Sequence, residues 1–68
     1  MINISTKFGK KVREIRLKKD MSQADLAKIL DVHVTYISGI ERGVRNMSLK
    51  NIEKLAKALG VSIKNLVE

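Results

Sequence analysis

The stretch that decides the fold is SQADLAKILDVHVTYISGIERGVRN, residues 22–46 of the 68-residue chain. Its apolar residues recur at spacings of three and four instead of alternating, which is typical of amphipathic helices. Asp31 and Val32, or these two with His33, separate the two helical patterns. A connection this short holds two helices at a steep angle, so the stretch predicts a helix-turn-helix.

Three features of the stretch support this interpretation. Ala27 is small and lies where the two helices would touch. Asp31 lies in the turn, and aspartate tolerates the left-handed conformation expected there better than most residues other than glycine. Val32, Ile37 and Ile40 would pack into the angle between the two helices from the side of the later one, helix 3 of the chain. The alternative is an ordinary pair of antiparallel helices in a bundle.

The same periodicity extends outward on the N-terminal side. Phe8, Val12 and Ile15 form an apolar stripe, which predicts a first helix over residues 6–19. Ser22 is a good N-cap for the second helix, and Asp25 completes a capping box.

On the C-terminal side the pattern predicts three further helices. The third helix begins at residue 33 or 34 and ends at Gly43, a glycine suited to the position after a helix. A fourth helix opens at Ser48 and ends at Gly60, and Ser62 caps a short fifth helix. We therefore expect an all-α fold, a compact five-helix domain over residues 1–68, with the helix-turn-helix in helices 2 and 3.

Composition narrows the function classes. The chain carries 14 Lys and Arg against 7 Asp and Glu, a net charge of +7, which favours a polyanionic partner. No cysteine is present and His33 is the only histidine, so we expect no disulfide, metal site or cofactor. We find no nucleophile–base pair, phosphate-binding loop or paired carboxylates, and therefore expect no enzyme. No signal peptide or membrane span is expected, which favours a cytoplasmic protein without membrane partners.

The segment SQADLAKILDVHVTYISGIERG resembles the helix-turn-helix of phage repressor and Cro-type (XRE-like) DNA-binding domains, which share the lambda-repressor-like fold. The resemblance covers residues 8–66, including REIRLKKDMSQADLA and SLKNIEKLAKALGVSIKNL. TYISGIERGVRNMSLKNIEKLAKAL is most similar to the controller proteins of restriction–modification systems. Those are small homodimers that bind operators upstream of their own gene and time endonuclease expression.

Three residues depart from the family pattern. Asp31 stands where the family usually has glycine, His33 where it has a Ser or Thr cap, and Met47 where proline is common. These departures make the start of helix 3 and the loop after it less predictable.

The resemblance implies that the N-terminal part of helix 3 enters the major groove of DNA. Thr35 would offer a hydroxyl and a methyl group to base edges, and Val34 would pack on a thymine methyl. For Tyr36 we expect its hydroxyl to reach DNA; the alternative is a half-buried ring with its hydroxyl in water. Gly39 would allow close approach of the DNA backbone, or is simply tolerated. The expected contacts in helix 3 are Val34, Thr35, Tyr36, Ser38 and Gly39.

Residues on both sides of helix 3 complete the expected DNA surface. By resemblance, Gln23 contacts a phosphate from the start of helix 2. Arg42, Arg45 and Asn46 follow the recognition helix, and their charge suits phosphates, with Arg45 also able to reach a guanine or a narrow minor groove. The alternative is a solvated basic surface.

Three titratable residues, Arg16, His33 and Glu41, are expected to have structural roles. By resemblance, Glu41 pairs with Arg16 in a partly buried ion pair that fixes helix 1 on helix 3. His33 is expected to be exposed or to cap helix 3.

The last third of the chain carries more apolar residues than the core of a helix-turn-helix requires. The surplus predicts a two-fold dimer interface formed by Met47, Leu49, Ile52, Val61 and Ile63. The alternative is a monomer with a mildly apolar surface.

We expect a dimer that binds a pseudo-palindromic operator upstream of its own gene and activates or represses transcription, with RNA polymerase as a further candidate partner. The alternatives are a phage-type repressor, an autoregulating antitoxin or, from another class, a basic module that binds protein or RNA.

Overall fold

The computed structural model describes residues 3–67, and within that range the chain forms five helices and no strand. They are α1 (Ile4–Lys18), α2 (Gln23–Leu30), α3 (Val34–Glu41), α4 (Leu49–Leu59) and α5 (Ile63–Val67). The expected all-α fold with five helices is therefore confirmed. In this part of the chain no helix is long and apolar enough to cross a membrane.

The helix starts follow from side chains that bind the free N–H groups of the first turn. Ser22 accepts a hydrogen bond from the Asp25 N–H, and the Asp25 carboxylate accepts one from the Ser22 N–H, both at 2.9 Å. The predicted capping box is therefore confirmed. The hydrogen bonds from the Ser22 backbone and side chain to the carboxylate lower the pKa of Asp25, so the contribution of the carboxylate to stability is lost as the pH falls through that lowered value.

The first helix begins at Ile4, earlier than the predicted residue 6. The cause is Asn3, whose side-chain oxygen accepts a hydrogen bond from the Thr6 N–H at 2.8 Å. His33 caps α3: its Nδ1 accepts a hydrogen bond from the Thr35 N–H at 3.2 Å. The capping role expected for this exposed histidine is confirmed.

The helix ends use residues with positive φ. Asp31 follows α2 with φ 57° and ψ 48°, the left-handed conformation predicted for the turn. The Val32 N–H then returns to the Ala27 carbonyl at 3.0 Å. Gly43 follows the last turn of α3 with φ 77°, and the Val44 N–H bonds the Gly39 carbonyl at 3.0 Å. Both turns are Schellman-type ends, which reverse the chain within two residues.

All five helices bury residues in one core. The two isoleucines of α3 are each 1% exposed, as predicted from the turn pattern. The buried hydrophobic side chains are Val12, Leu26, Ala27, Leu30, Ile37, Ile40, Leu55, Ala56, Leu59 and Leu66.

Two glycines bring α1 close to the C-terminal end of α3. A Cβ atom at Gly9 would collide with the backbone oxygens of Ile40 and Glu41, the latter at 2.8 Å. A Cβ at Gly43 would lie 2.8 Å from the Cα of Thr6. The two helices can therefore meet backbone to backbone only because both positions lack a side chain.

Gly9→Ala should lower the free energy of unfolding, measured by urea denaturation. Alanine gains about 1 kcal/mol in helix propensity, but forced overpacking against a backbone costs about 1–3 kcal/mol or more. We expect a cost at the upper end of this range, and so a net loss of about 2 kcal/mol, because the carbonyls of α3 cannot rotate away without breaking the helix.

Lys10→Ala, on the exposed side of the same helix, is the control and should stay within about 0.5 kcal/mol of the wild type. A Gly9→Ala chain as stable as the control would show that α1 and α3 do not pack this closely.

Candidate nucleic-acid interface

α3 has one buried side and one exposed side. Ile37 and Ile40 point into the core, and the steep α2–α3 turn leaves the N-terminal part of the helix at the surface. Val34 is 37% exposed and Thr35 is exposed, whereas Ser38 is half-buried. Of the residues expected to contact DNA from this helix, Val34 and Thr35 therefore lie on the accessible side of α3 at its start.

The Thr35 hydroxyl is held by the cap of its own helix. Its Oγ1 lies 3.0 Å from His33 Nδ1, the same nitrogen that accepts the Thr35 N–H. With Nδ1 as the acceptor, the hydroxyl donates to His33 and keeps its lone pairs free. In this arrangement Thr35 is available to a base edge as a hydrogen-bond acceptor.

Tyr36 has an internal partner that the sequence interpretation missed. The ring is half-buried, and its hydroxyl accepts a hydrogen bond from Asn51 Nδ2 of α4 at 3.2 Å. The guanidinium of Arg45 lies over the ring, 5.0 Å from its centroid. The hydroxyl is thus anchored to α4, although its own proton can still be donated, and its expected contact with DNA stays a prediction.

Gly39 also has a different explanation from the expected one. It is buried, and a Cβ there would lie 3.2 Å from the Cβ of Arg45 and 3.9 Å from Cγ2 of Val44. The glycine makes room for the loop that follows α3. Close approach of a DNA backbone at Gly39 stays a prediction.

Two side chains form hydrogen bonds that fix the end of α3 and the loop that follows it. Arg42 folds back, with its Nε donating to the Ser38 carbonyl at 3.4 Å. Asn46 accepts a hydrogen bond from the Ser5 hydroxyl of α1 at 2.7 Å. Both residues are exposed, so these contacts leave them accessible to a partner. Ser5, like Asn51, carried no sequence signal, since both act through a distant segment.

A buried polar cluster joins α1 and α2 to the last turn of α3, beneath the exposed residues described above. Arg16 donates to both oxygens of Glu41, from Nε to Oε2 at 2.7 Å and from Nη2 to Oε1 at 3.0 Å. The two side chains are 7% and 3% exposed, so the expected ion pair is present and more deeply buried than expected. Arg16 also donates to the Met21 carbonyl at 2.7 Å. The bonds to Glu41 raise the pKa of the guanidinium, which outweighs the opposing effect of burial.

Gln23 belongs to the same cluster. Its amide nitrogen donates to Glu41 Oε1 at 3.1 Å, so the side chain is oriented from within the protein. The resemblance gave Gln23 a phosphate contact, and that role stays a prediction. The amide has a second N–H and an oxygen not used by Glu41.

The residues expected at a dimer interface fall into two groups. Leu49 and Ile63 are 85% and 45% exposed. Met47, Ile52 and Val61 are half-buried and pack against the core. Met47 and Ile52 line a surface groove of about 540 Å³ between α1, the start of α4 and α5, whereas Val61 does not.

Some of the residues expected to contact DNA also touch one another within the protein. Arg45 contacts both Tyr36 and Gly39 along α3, whereas Gln23 donates to Glu41 in the last turn of that helix. Contact of any of these residues with DNA stays a prediction.

Comparison with known proteins decides the family. The helix-turn-helix family model matches residues 12–66, which includes the α2–α3 unit described above. The chain belongs to the helix-turn-helix family. Among curated relatives, Control protein C.BamHI of Bacillus amyloliquefaciens is 61% identical over 97% of this chain and 83% of its own length.

Solved structures agree. The restriction–modification controller protein C.AhdI from Aeromonas hydrophila is 45% identical with a TM-score of 0.87, over 91% of this chain and 94% of its own. SinR, a master regulator for biofilm formation solved in complex with DNA, is 32% identical with a TM-score of 0.84 over 90% and 98%. The predicted family and the class of function, a DNA-binding transcriptional regulator similar to restriction–modification controllers, are confirmed.

Glu41→Gln should lower the free energy of unfolding by about 3 kcal/mol, because it leaves the Arg16 charge buried without a counter-charge. The change keeps the size of the side chain, so packing is preserved. Urea denaturation followed by circular dichroism measures the effect.

Glu14→Gln is the matched control, since Glu14 forms an exposed pair with Lys18 at 3.7 Å. It should change stability by less than about 0.5 kcal/mol. Equal effects from the two variants would contradict the structural role given to the buried pair.

Proposed function

We propose that this chain controls the expression of restriction–modification genes by binding, as a homodimer, to a pseudo-palindromic operator upstream of its own gene. The observation that carries the proposal is the accessible N-terminal part of α3, bordered by Arg45, on a chain 61% identical to a control protein. Activation at one promoter and repression at another would follow from where the dimer sits.

The charge distribution supports a DNA partner. The chain has a net charge of +7, and residues 42–52 carry Arg42, Arg45 and Lys50 without any acid. This run begins where α3 ends, so positive charge borders the helix expected to enter the major groove. Basic side chains flanking a reading helix hold it in register through phosphates while the helix itself contacts bases.

The exposed apolar side chains Leu49 and Ile63, at 85% and 45% exposure, support a dimer, because a second copy that covered them would remove their apolar area from water. A two-fold axis would place the two copies of α3 about 34 Å apart, one turn of DNA. The half-buried Met47, Ile52 and Val61 would form the edge of this interface. We place the whole chain, residues 1–68, in one DNA-binding domain acting in the cytoplasm at the nucleoid.

A phage-type repressor is the second candidate, since the transcriptional repressor RstR of the cryptic phage CTXphi in Vibrio cholerae is 35% identical over 88% of this chain and 54% of its own length. It would share the dimer and the operator and differ in the genes controlled. RNA polymerase is the partner through which an activator of this type would act.

A module that binds single-stranded RNA is less well supported. Such modules stack bases on exposed aromatic rings. The chain has one Phe and one Tyr. Phe8 packs against the core, and the face of Tyr36 is covered by the Arg45 guanidinium.

A nuclease footprint on the DNA just upstream of the gene, at several salt concentrations, tests the proposal. We expect a protected site with two-fold related halves that persists at physiological salt. Affinity should fall with salt, with a log–log slope of about −0.9 for each phosphate neutralised.

Arg45→Ala should weaken binding and, if Arg45 neutralises a phosphate, reduce the slope by about 1.

Lys57→Ala is the control, because Lys57 is exposed at the C-terminal end of α4, outside the α2–α3 unit. It should leave the footprint unchanged. Weak, uniform protection that disappears with salt, equally for both variants, would contradict operator recognition.

A further inference from the structure

The side chain of Arg45, in the loop after α3, lies along that helix, and Gly39 leaves room for it. We propose that Gly39 is a positioning residue for Arg45, acting together with Tyr36 and Asn51. The role of Arg45 in DNA binding rests on the proposed function, whereas its placement along α3 does not.

The first observation is the space above Gly39. The turn at Gly43 returns the chain over α3, and the Val44 N–H bonds the Gly39 carbonyl at 3.0 Å. A Cβ at Gly39 would lie 3.2 Å from Arg45 Cβ and 3.7 Å from Arg45 Cδ. The aliphatic stem of Arg45 therefore lies directly over Gly39, and a methyl group at this position would displace the stem by a few tenths of an ångström.

The second observation is at the other end of the arginine. The guanidinium lies over the Tyr36 ring, 5.0 Å from its centroid. Tyr36 precedes Gly39 by three residues, so the two lie on the same face of α3. The Tyr36 hydroxyl accepts a hydrogen bond from Asn51 Nδ2 at 3.2 Å, which fixes the ring against α4.

These contacts give Arg45 a defined path from the loop to the exposed start of α3. Free arginine side chains lose much rotamer freedom when they bind a phosphate or a base. An arginine already held in an extended path loses less, so its contact contributes more affinity. Gly39 and Asn51 would thus affect DNA binding without touching DNA.

The first test needs no DNA. Arg45 side-chain protons lie over an aromatic face in the wild type, so their NMR resonances should be displaced upfield by the ring current. Gly39→Ala should move them toward their unperturbed positions, and Asn51→Ala should do the same by releasing the ring. Gly39→Ala is expected to stay folded, since alanine favours helix more than glycine does. Unchanged Arg45 resonances in both variants would overturn the proposal.

The second test is a double-mutant cycle of Gly39→Ala with Arg45→Ala. Binding is measured on a duplex carrying the DNA immediately upstream of the gene. Gly39→Ala alone should weaken binding about two- to fivefold, the scale of an exposed cation–π contact. In the Arg45→Ala background it should cause no further loss.

An equal loss in both backgrounds would show that the added methyl group meets DNA directly, and would overturn the positioning role. A wild-type chain that does not bind this duplex specifically would instead count against the operator. In that case the Arg45 resonances would still decide whether Gly39 positions the arginine.

Discussion

The arrangement of the helices depends on the buried contact between Arg16 of α1 and Glu41 at the last turn of α3. Two hydrogen bonds of 2.7 and 3.0 Å join the pair, and Gln23 from the first turn of α2 donates to the same carboxylate. One carboxylate therefore connects three helices. Replacing a buried ion pair by apolar side chains of similar size often costs no stability. We infer that the value of this cluster lies in the single orientation it gives α3.

That contact is possible only because α1 and α3 approach so closely. Gly9 faces the Ile40 and Glu41 carbonyls, and Gly43 faces the backbone of Thr6. A larger side chain at either place would push the two helices apart and draw Arg16 away from Glu41. The Ser5–Asn46 hydrogen bond continues the same contact into the loop after α3. The N-terminal half of α1 is thus a support for the surface expected to meet DNA.

Features encoded by neighbouring residues could be predicted from the sequence. The Ser22–Asp25 capping box, the left-handed Asp31 and the end of α3 at Gly43 each depend on a few consecutive residues, and each is present. The buried Ile37 and Ile40 follow from helical spacing alone. Family resemblance supplied the Arg16–Glu41 pair, which spacing could not.

Features that depend on distant segments were missed or explained differently. Gly9 carried no local signal, because its reason is a backbone from another helix. Asn51 could be placed on α4 but not paired with Tyr36, since that pairing depends on how α3 and α4 cross. Gly39 was interpreted through DNA, whereas the structure places the stem of Arg45 above it.

We propose that the accessible start of α3 and the loop after it meet DNA on a support held by Arg16 and Glu41. The most direct measurement is an NMR titration of the 15N-labelled chain with the duplex from upstream of its gene. The account predicts the largest amide shifts at Val34 and Thr35 and around Arg45. The largest shifts along the exposed lysines of α1, with α3 unaffected, would contradict it.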